Sequence, residues 1–416
     1  MAPALLENLW RVTGRRVGGA RRRSLGDPAH VPPTLKGVDP CFIEEWSEGW
    51  FTLSGHPIAL DGRSPLEVAD APPDWLRALH GFDWLVDVPL VPEDDLALTF
   101  RDRTRALVAE WLAHGTSSNA VAARTDVTAR RLLSFLAHAD LVLETAQART
   151  YDLYARQIAR DADHLLSEWR SLDDEGRVVA LSAVAQAGLA CDNGAVMHAR
   201  AEAALLSELD RQILSDGGHL SRDPRVIPAL LLDLIPLRQL YGVAHRTAPR
   251  LLVDTIGRMI EFASVLRLGD GQLTHLSGRR TDHDIALPPL TLLGTPPQRW
   301  YGAASGFARV AEGPTVLIVD AGADHSSAGA LSFEWSAGPV PVVMSAGDTS
   351  VLRLGSRSHG RPAGSTLRRA TQSTLMIDAP TAAPRADAPP QPTLAQRQGI
   401  DIVTVPGSGT RIDSTH

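Results

Sequence analysis

Nine residues, Asp216-Gly217-Gly218-His219-Leu220-Ser221-Arg222-Asp223-Pro224, gather a carboxylate, an imidazole and a guanidinium around two glycines. That set suits anion binding and proton transfer. Arginine clamps an oxyanion through a rigid fork of N–H donors, and histidine exchanges a proton near neutral pH. Apolar residues at helical spacing flank the run: Ala201, Leu205, Leu206, Leu209 and Ile213 before it, and Ile227, Leu230, Leu231, Leu234, Ile235, Leu237 and Leu240 after it. The glycines permit positive φ, so the chain can turn sharply between two helices and hold His219 and Arg222 at their junction. The same residues also suit a tight helical hairpin whose histidine is merely solvated.

The surrounding pattern predicts what positions this turn. Residues 1–64 are rich in Gly, Pro and Arg and read as an extended arm with a short strand at Trp50–Leu53. From 65 to about 300 a helical domain is expected, with helices over 96–114, 127–143, 151–169, 178–191 and 251–266 besides the pair flanking the turn. Short polar connections between them imply antiparallel helical hairpins. Pro228 and Pro236 predict a kink or interruption in the helix after the turn. From 301 to 378 strand-like runs take over, at 315–319, 330–335, 340–344 and 373–377. Residues 379–416 form a Pro/Ala-rich, poorly ordered tail with one strand candidate at 400–405.

Composition narrows the chemistry. The 416 residues carry a net charge of −7, which argues against nucleic acid as a partner. Lys36 is the sole lysine among 41 Lys and Arg residues, so Schiff-base, P-loop and pyridoxal-phosphate chemistry lack their internal lysine. No cofactor is expected. Cys41 and Cys191 have no metal-ligand spacing. His275, Asp282, His283 and Asp284 read as a polar loop before they read as a metal site, and no metal is assigned. Arg11, Arg15, Arg16 and Arg21 to Arg23 precede no apolar run long enough for a signal peptide or spanning helix, so a cytoplasmic protein without a transmembrane segment is expected.

Several stretches together resemble the heparinase II/III-like polysaccharide lyases: Leu79-His80-Gly81-Phe82-Asp83-Trp84-Leu85, Asp126 to Leu133, Asp216 to Pro224, Val319-Asp320-Ala321-Gly322, and Ala328 to Glu334. The likeness runs from about residue 65 to 378. It implies an N-terminal α/α toroid followed by an antiparallel β-sandwich, here truncated, and β-elimination on a uronic-acid-containing acidic polysaccharide. That chemistry needs a group to neutralise the uronate carboxylate, a base and an acid. At the positions where the resemblance implies asparagine, tyrosine and two histidines, this chain has Ser277, Phe307, Ser327 and Gln372.

The remaining candidates are His219, Tyr301 and His325 for catalysis, with Arg130, Asp216, Arg222 and Ser277 for substrate binding. The expected function is such a lyase. Two alternatives stand beside it: an inactive relative that binds an anionic glycan or a protein partner, and an α/α-barrel glycoside hydrolase using two of Glu110, Glu168 and Glu208. Trp46, Trp50, Trp75 and Trp84 are candidate sugar-stacking platforms, whereas Trp111 and Trp169 fall on helices and read as core.

Overall fold

The computed structural model describes residues 25, 28–90, 94–114, 119–276, 296–322, 332–345, 393–397 and 400–404. These fall into two compact units that cut across chain order. The first takes its residues from Met1–Arg211 and Leu230–Ile256, the second from Gln212–Ala229, Gly257–Thr281 and Pro288–His416.

In the first unit a short helix α1 (Phe42–Ser47) leads into a hairpin of β1 (Trp50–Leu53) and β2 (His56–Ala59). Helices α2 (Pro73–Gly81), α3 (Asp95–His114), α4 (Thr125–Ala137), α5 (Ala139–Leu143), α6 (Ala148–Glu168), α7 (Asp174–Ala190) and α8 (Ala195–Gln212) follow. α7 starts where Asp173 accepts the Gly176 N–H at 2.8 Å, and every residue from Val178 to Ala190 is buried, as a central helix requires. α4 packs against α2, α6 and α7. The single helix expected over 127–143 is broken at His138. Its ring and its own N–H both take the Ser134 carbonyl, a local competition that favours ending a helix.

Aromatic residues fill the space between α1, the hairpin and α2 to α4. Phe42, Trp46, Phe51, Trp75, Phe82, Trp84, Phe100, Trp111 and Phe135 are all buried, with neighbouring rings 4.8–6.2 Å apart. Trp46, Trp75 and Trp84 are therefore core residues and no platform for sugars. Trp50 alone of that group is exposed.

Asp87, at the end of a helical turn over Asp83–Asp87, is held up to about 6, mainly by burial and further by Asp39 and Asp83, against the Asp39 N–H it accepts at 2.7 Å. A carboxyl raised in the folded state contributes stability that is complete below its unfolded pKa and lost as pH rises through about 6. Asp87→Asn keeps the acceptor for Asp39 and removes the charge. It is expected to raise the melting temperature at pH 7, by on the order of 1–2 kcal/mol of stability, with no gain at pH 4; thermal melts at the two pH values check this.

α9 (Val226–Val243) and α10 (Arg250–Val265) contribute residues to both units. α9 runs without the interruption that was one of the two outcomes expected from its prolines. Pro228 falls in the first turn, where an N–H has no intrahelical partner to lose. Pro236 sits inside the helix, and one turn before it the Asp233 carbonyl is taken by Gln186 Nε2 at 3.0 Å and Ser182 Oγ at 3.3 Å. By length and composition α9 could span a membrane, and 61% of it is buried inside the molecule.

The second unit is built on a five-stranded antiparallel sheet in the order β3 (Arg299–Tyr301), β4 (Phe307–Glu312), β5 (Thr315–Asp320), β6 (Phe333–Ala337), β7 (Val340–Val343). A separate antiparallel pair, β8 (Thr393–Arg397) and β9 (Ile400–Thr404), follows. One face of the large sheet is buried and carries Phe307, Arg309, Ile318, Asp320, Glu334 and Ser336. Phe262 of α10 covers it, 6.1 Å from the Phe307 ring and 5.9 Å from Trp300. Arg309 donates to the Val265 carbonyl at 3.1 Å and the Arg267 carbonyl at 2.5 Å, placing a cation at the negative end of α10. The strand expected at 373–377 lies outside the described residues.

Candidate active site

The turn between α8 and α9 is tighter than a plain helical hairpin. Ile213 and His219 form an antiparallel bridge, Leu214 N–H bonds the Gly218 carbonyl at 2.7 Å, and Leu220 N–H bonds that of Gln212 at 2.9 Å. Gly217 is required on two counts. Its φ is +88°, and a Cβ there would stand 2.1 Å from the Arg258 carbonyl oxygen of α10. Gly218 does not use positive φ; the second left-handed residue is Arg222 itself, at φ 59°. That conformation costs a non-glycine residue ~1–2 kcal/mol, which the bonds of the Arg222 side chain offset.

Those bonds join the turn to the sheet. Arg222 pairs with Asp320 at the end of β5, and its Nε donates to the Ser305 carbonyl at 2.8 Å. The guanidinium packs 5.6 Å from the Phe307 ring centre, over Gly322, where a Cβ would collide with it. Asp216 works in the same direction: its carboxylate accepts the N–H of Ser305 at 2.7 Å, of Ala304 at 3.1 Å and of Gly218 at 3.2 Å. Asp216 and Arg222 thus brace the connection between β3 and β4.

His219 is only 3% exposed, so it is neither a solvated hairpin residue nor a group open to substrate. Its Nδ1 accepts the Ser221 N–H at 3.1 Å and lies 2.7 Å from Ser221 Oγ, which leaves Nε2–H to donate to Gln212 Oε1 at 3.1 Å. Both ring nitrogens are engaged within the turn.

Tyr301 is part-exposed and stands close enough to Asp216 and Arg222 to feel both charges. Burial first and the Asp216 carboxylate second push its phenol above its ordinary value, against the Arg222 guanidinium. The direction is wrong for a base, which needs a phenolate accessible near neutral pH. Register also separates Tyr301 from the position it would replace. It pairs with Ala308, so it occupies the opposite face of the sheet from Phe307, which is fully buried.

Arg130 belongs to the first unit, where it donates to Asp233 at 2.8 Å. His325, Ser277, Ser327 and Gln372 lie outside the described residues, as do Asp282, His283 and Asp284. Among the described residues, no group of three or more His, Cys, Asp or Glu side chains could hold a metal. The structure thus brings together Asp216, His219, Arg222 and Tyr301, and adds Asp320, Ser305 and Gln212, which sequence reasoning did not single out. Asp320 carried a usable signal. It falls on the inward phase of an alternating strand, where a carboxylate needs a partner.

The family described as Heparinase II/III-like, C-terminal, matches residues 294–384, a span that includes β3 to β7. The resemblance to heparinase II/III-like proteins is supported. Solved structures agree at the level of fold. Heparinase III superposes with a TM-score of 0.57 at 13% identity, covering 82% of this chain and 62% of that one. The heparan sulfate lyase HepC from Pedobacter heparinus superposes with a TM-score of 0.54 at 14% identity, covering 82% and 60%. The helix-rich N-terminal region followed by an antiparallel sheet is therefore the fold of heparinase-type polysaccharide lyases. A curated relative, the FtsZ-localized protein C of Caulobacter vibrioides, is 29% identical over 297 residues, 70% of this chain and 50% of that protein. The chain spans about half the length of that curated relative.

Proposed function

We propose that this heparinase-like chain is a non-catalytic binding protein that engages a protein partner at the site of cell division. One observation carries the loss of catalysis: the histidine and the two clamp candidates of the turn, His219, Asp216 and Arg222, are held by internal bonds, and a buried phenylalanine occupies the tyrosine position. General acid–base work needs groups free to reach a substrate proton, and the buried ring of His219 and the paired carboxylate of Asp216 are not free. The division-site partner is supported by the likeness to the FtsZ-localized relative, and a cytoplasmic location accords with it. A fluorescent fusion of the full chain is expected to form a mid-cell band with FtsZ and to disperse when FtsZ is depleted. A uniform distribution in cells with intact FtsZ rings would refute this reading.

A second reading retains the lyases' ligand without their chemistry. Among the described residues Arg222 Nη1 has no hydrogen-bond partner, and if movement of the turn uncovers it, this buried guanidinium nitrogen suits the carboxylate or sulfate of an acidic polysaccharide. Retention on a heparin column that falls on Arg222→Gln substitution in a folded sample would favour it.

A further inference from the structure

The sole lysine of the chain occupies a confined place in the first unit. Lys36 belongs to an extended strap, residues 29–39, and with Pro33 it forms one wall of a recess. The other walls include Ser134 and His138 at the end of α4, Gln186 of α7 and Asp233 of α9, and they leave free space for little more than one water-sized group. The Lys36 ammonium pairs with Asp83, whose carboxylate also accepts Ser134 Oγ at 3.3 Å. Burial pushes Asp83 up, but Lys36 and Arg130 together outweigh it and hold the carboxyl below its usual range, so it stays ionised.

A further acceptor in the recess is unused. His138 turns Nδ1 back to the Ser134 carbonyl at 2.9 Å, which places the proton on Nδ1 and the lone pair on Nε2. Nε2 is buried and has no hydrogen-bond partner among the described residues. Without Lys36 the region presents the carboxyls of Asp83, Asp87 and Asp233 and this lone pair against one cation, Arg130. Elsewhere the chain uses arginine for every basic side chain other than histidine. A compact ammonium with three rotatable donors suits a narrow recess better than a planar guanidinium does.

The strap is lightly held. Ala29 and His30 donate to the Ala190 carbonyl at 2.6 and 3.1 Å, and Asp39 N–H reaches Asp87 at 2.7 Å. Between these points, residues 31–38 make no backbone–backbone bond among the described residues, and the backbone of Lys36 bonds Thr34 within the strap. With its backbone bonded only at the ends, the strap has the Lys36–Asp83 pair as its polar anchor in the middle, and such a segment opens locally once that pair breaks.

We propose that the Asp83 carboxylate beside this recess forms an ammonium-selective binding site, occupied in cis by Lys36 and open to a lysine side chain of a protein partner when the strap lifts. This inference stands on the first unit alone and is independent of the reading of the turn. The test uses the full chain carrying Lys36→Ala, with n-propylammonium chloride as probe and equal concentrations of methylguanidinium chloride and sodium chloride as controls. Lys36→Ala is expected to lower the melting temperature by several degrees, n-propylammonium to restore most of the loss, and neither control to do so. Lys36→Arg is expected to remain destabilised, and Nα-acetyl-lysine amide to bind Lys36→Ala in calorimetry but not Lys36→Ala/Asp83→Asn. If Lys36→Ala does not fold, Lys36→Gln, which keeps an N–H donor toward Asp83, takes its place in the same titrations. Equal rescue by the two cations, or none in a folded variant, would overturn the proposal.

Discussion

Asp320→Ala is expected to lower the stability of the protein by about 3–5 kcal/mol, because it strands a charge. The Arg222 side chain is 10% exposed and its partner Asp320 is 0% exposed. With the carboxylate gone, the guanidinium keeps the Ser305 carbonyl and lacks a counter-charge in a low-dielectric setting, while its left-handed backbone loses part of what holds it. Arg222→Met/Asp320→Leu is expected to be less damaging than Asp320→Ala, since no buried charge is left unpaired. Urea midpoints of the three proteins check the order. Amide exchange at Leu214 and Leu220, whose N–H groups close the turn, is expected to accelerate in Asp320→Ala.

Arg131→Met carries a comparable penalty in the helical unit, again about 3–5 kcal/mol. The Arg131 side chain is 0% exposed. Its Nε and Nη2 reach both oxygens of Asp161, at 2.9 and 2.7 Å, Nη1 reaches the Ala122 carbonyl at 2.8 Å, and the guanidinium stands 4.9 Å from the Trp111 ring centre. Burial first, and the same charge second, hold the neighbouring His80 down to about 4, so that ring stays neutral and accepts Trp111 Nε1 at 3.1 Å. Arg131→Lys is not expected to rescue the loss, because an ammonium lacks the fork that meets a carboxylate with two parallel bonds. A double-mutant cycle with Asp161→Asn, read by chemical denaturation, is expected to show strong coupling between the two sites.

Helices were the most legible part of the sequence, because their apolar period survives over many residues. The observed Asp95–His114, Ala148–Glu168 and Arg250–Val265 lie within a few residues of the expected spans. β4 was not legible. Phe307–Glu312 alternates poorly, and its inward Arg309 looks polar until the helix end that it caps is in place. The turn was recognised from its glycines and charges, but the bonding of those groups was not legible. A sequence shows that Asp216, His219 and Arg222 are close along the chain, but not that Ser305, Gln212 and Asp320 will use up their hydrogen-bonding capacity. The recess around Lys36 was invisible for a similar reason: residues 36, 83, 138 and 233 meet only after α4, α7 and α9 have packed.

The central claim is that the chain keeps a lyase fold without lyase chemistry, and product formation tests it most directly. Purified, folded protein is incubated with heparin, heparan sulfate and other uronate polymers while the absorbance of the unsaturated uronate product is followed, with heparinase III as positive control. No absorbance above a boiled-protein blank is expected with any polymer. Steady product formation that disappears in Tyr301→Phe or His219→Ala, both shown to be folded, would contradict the account.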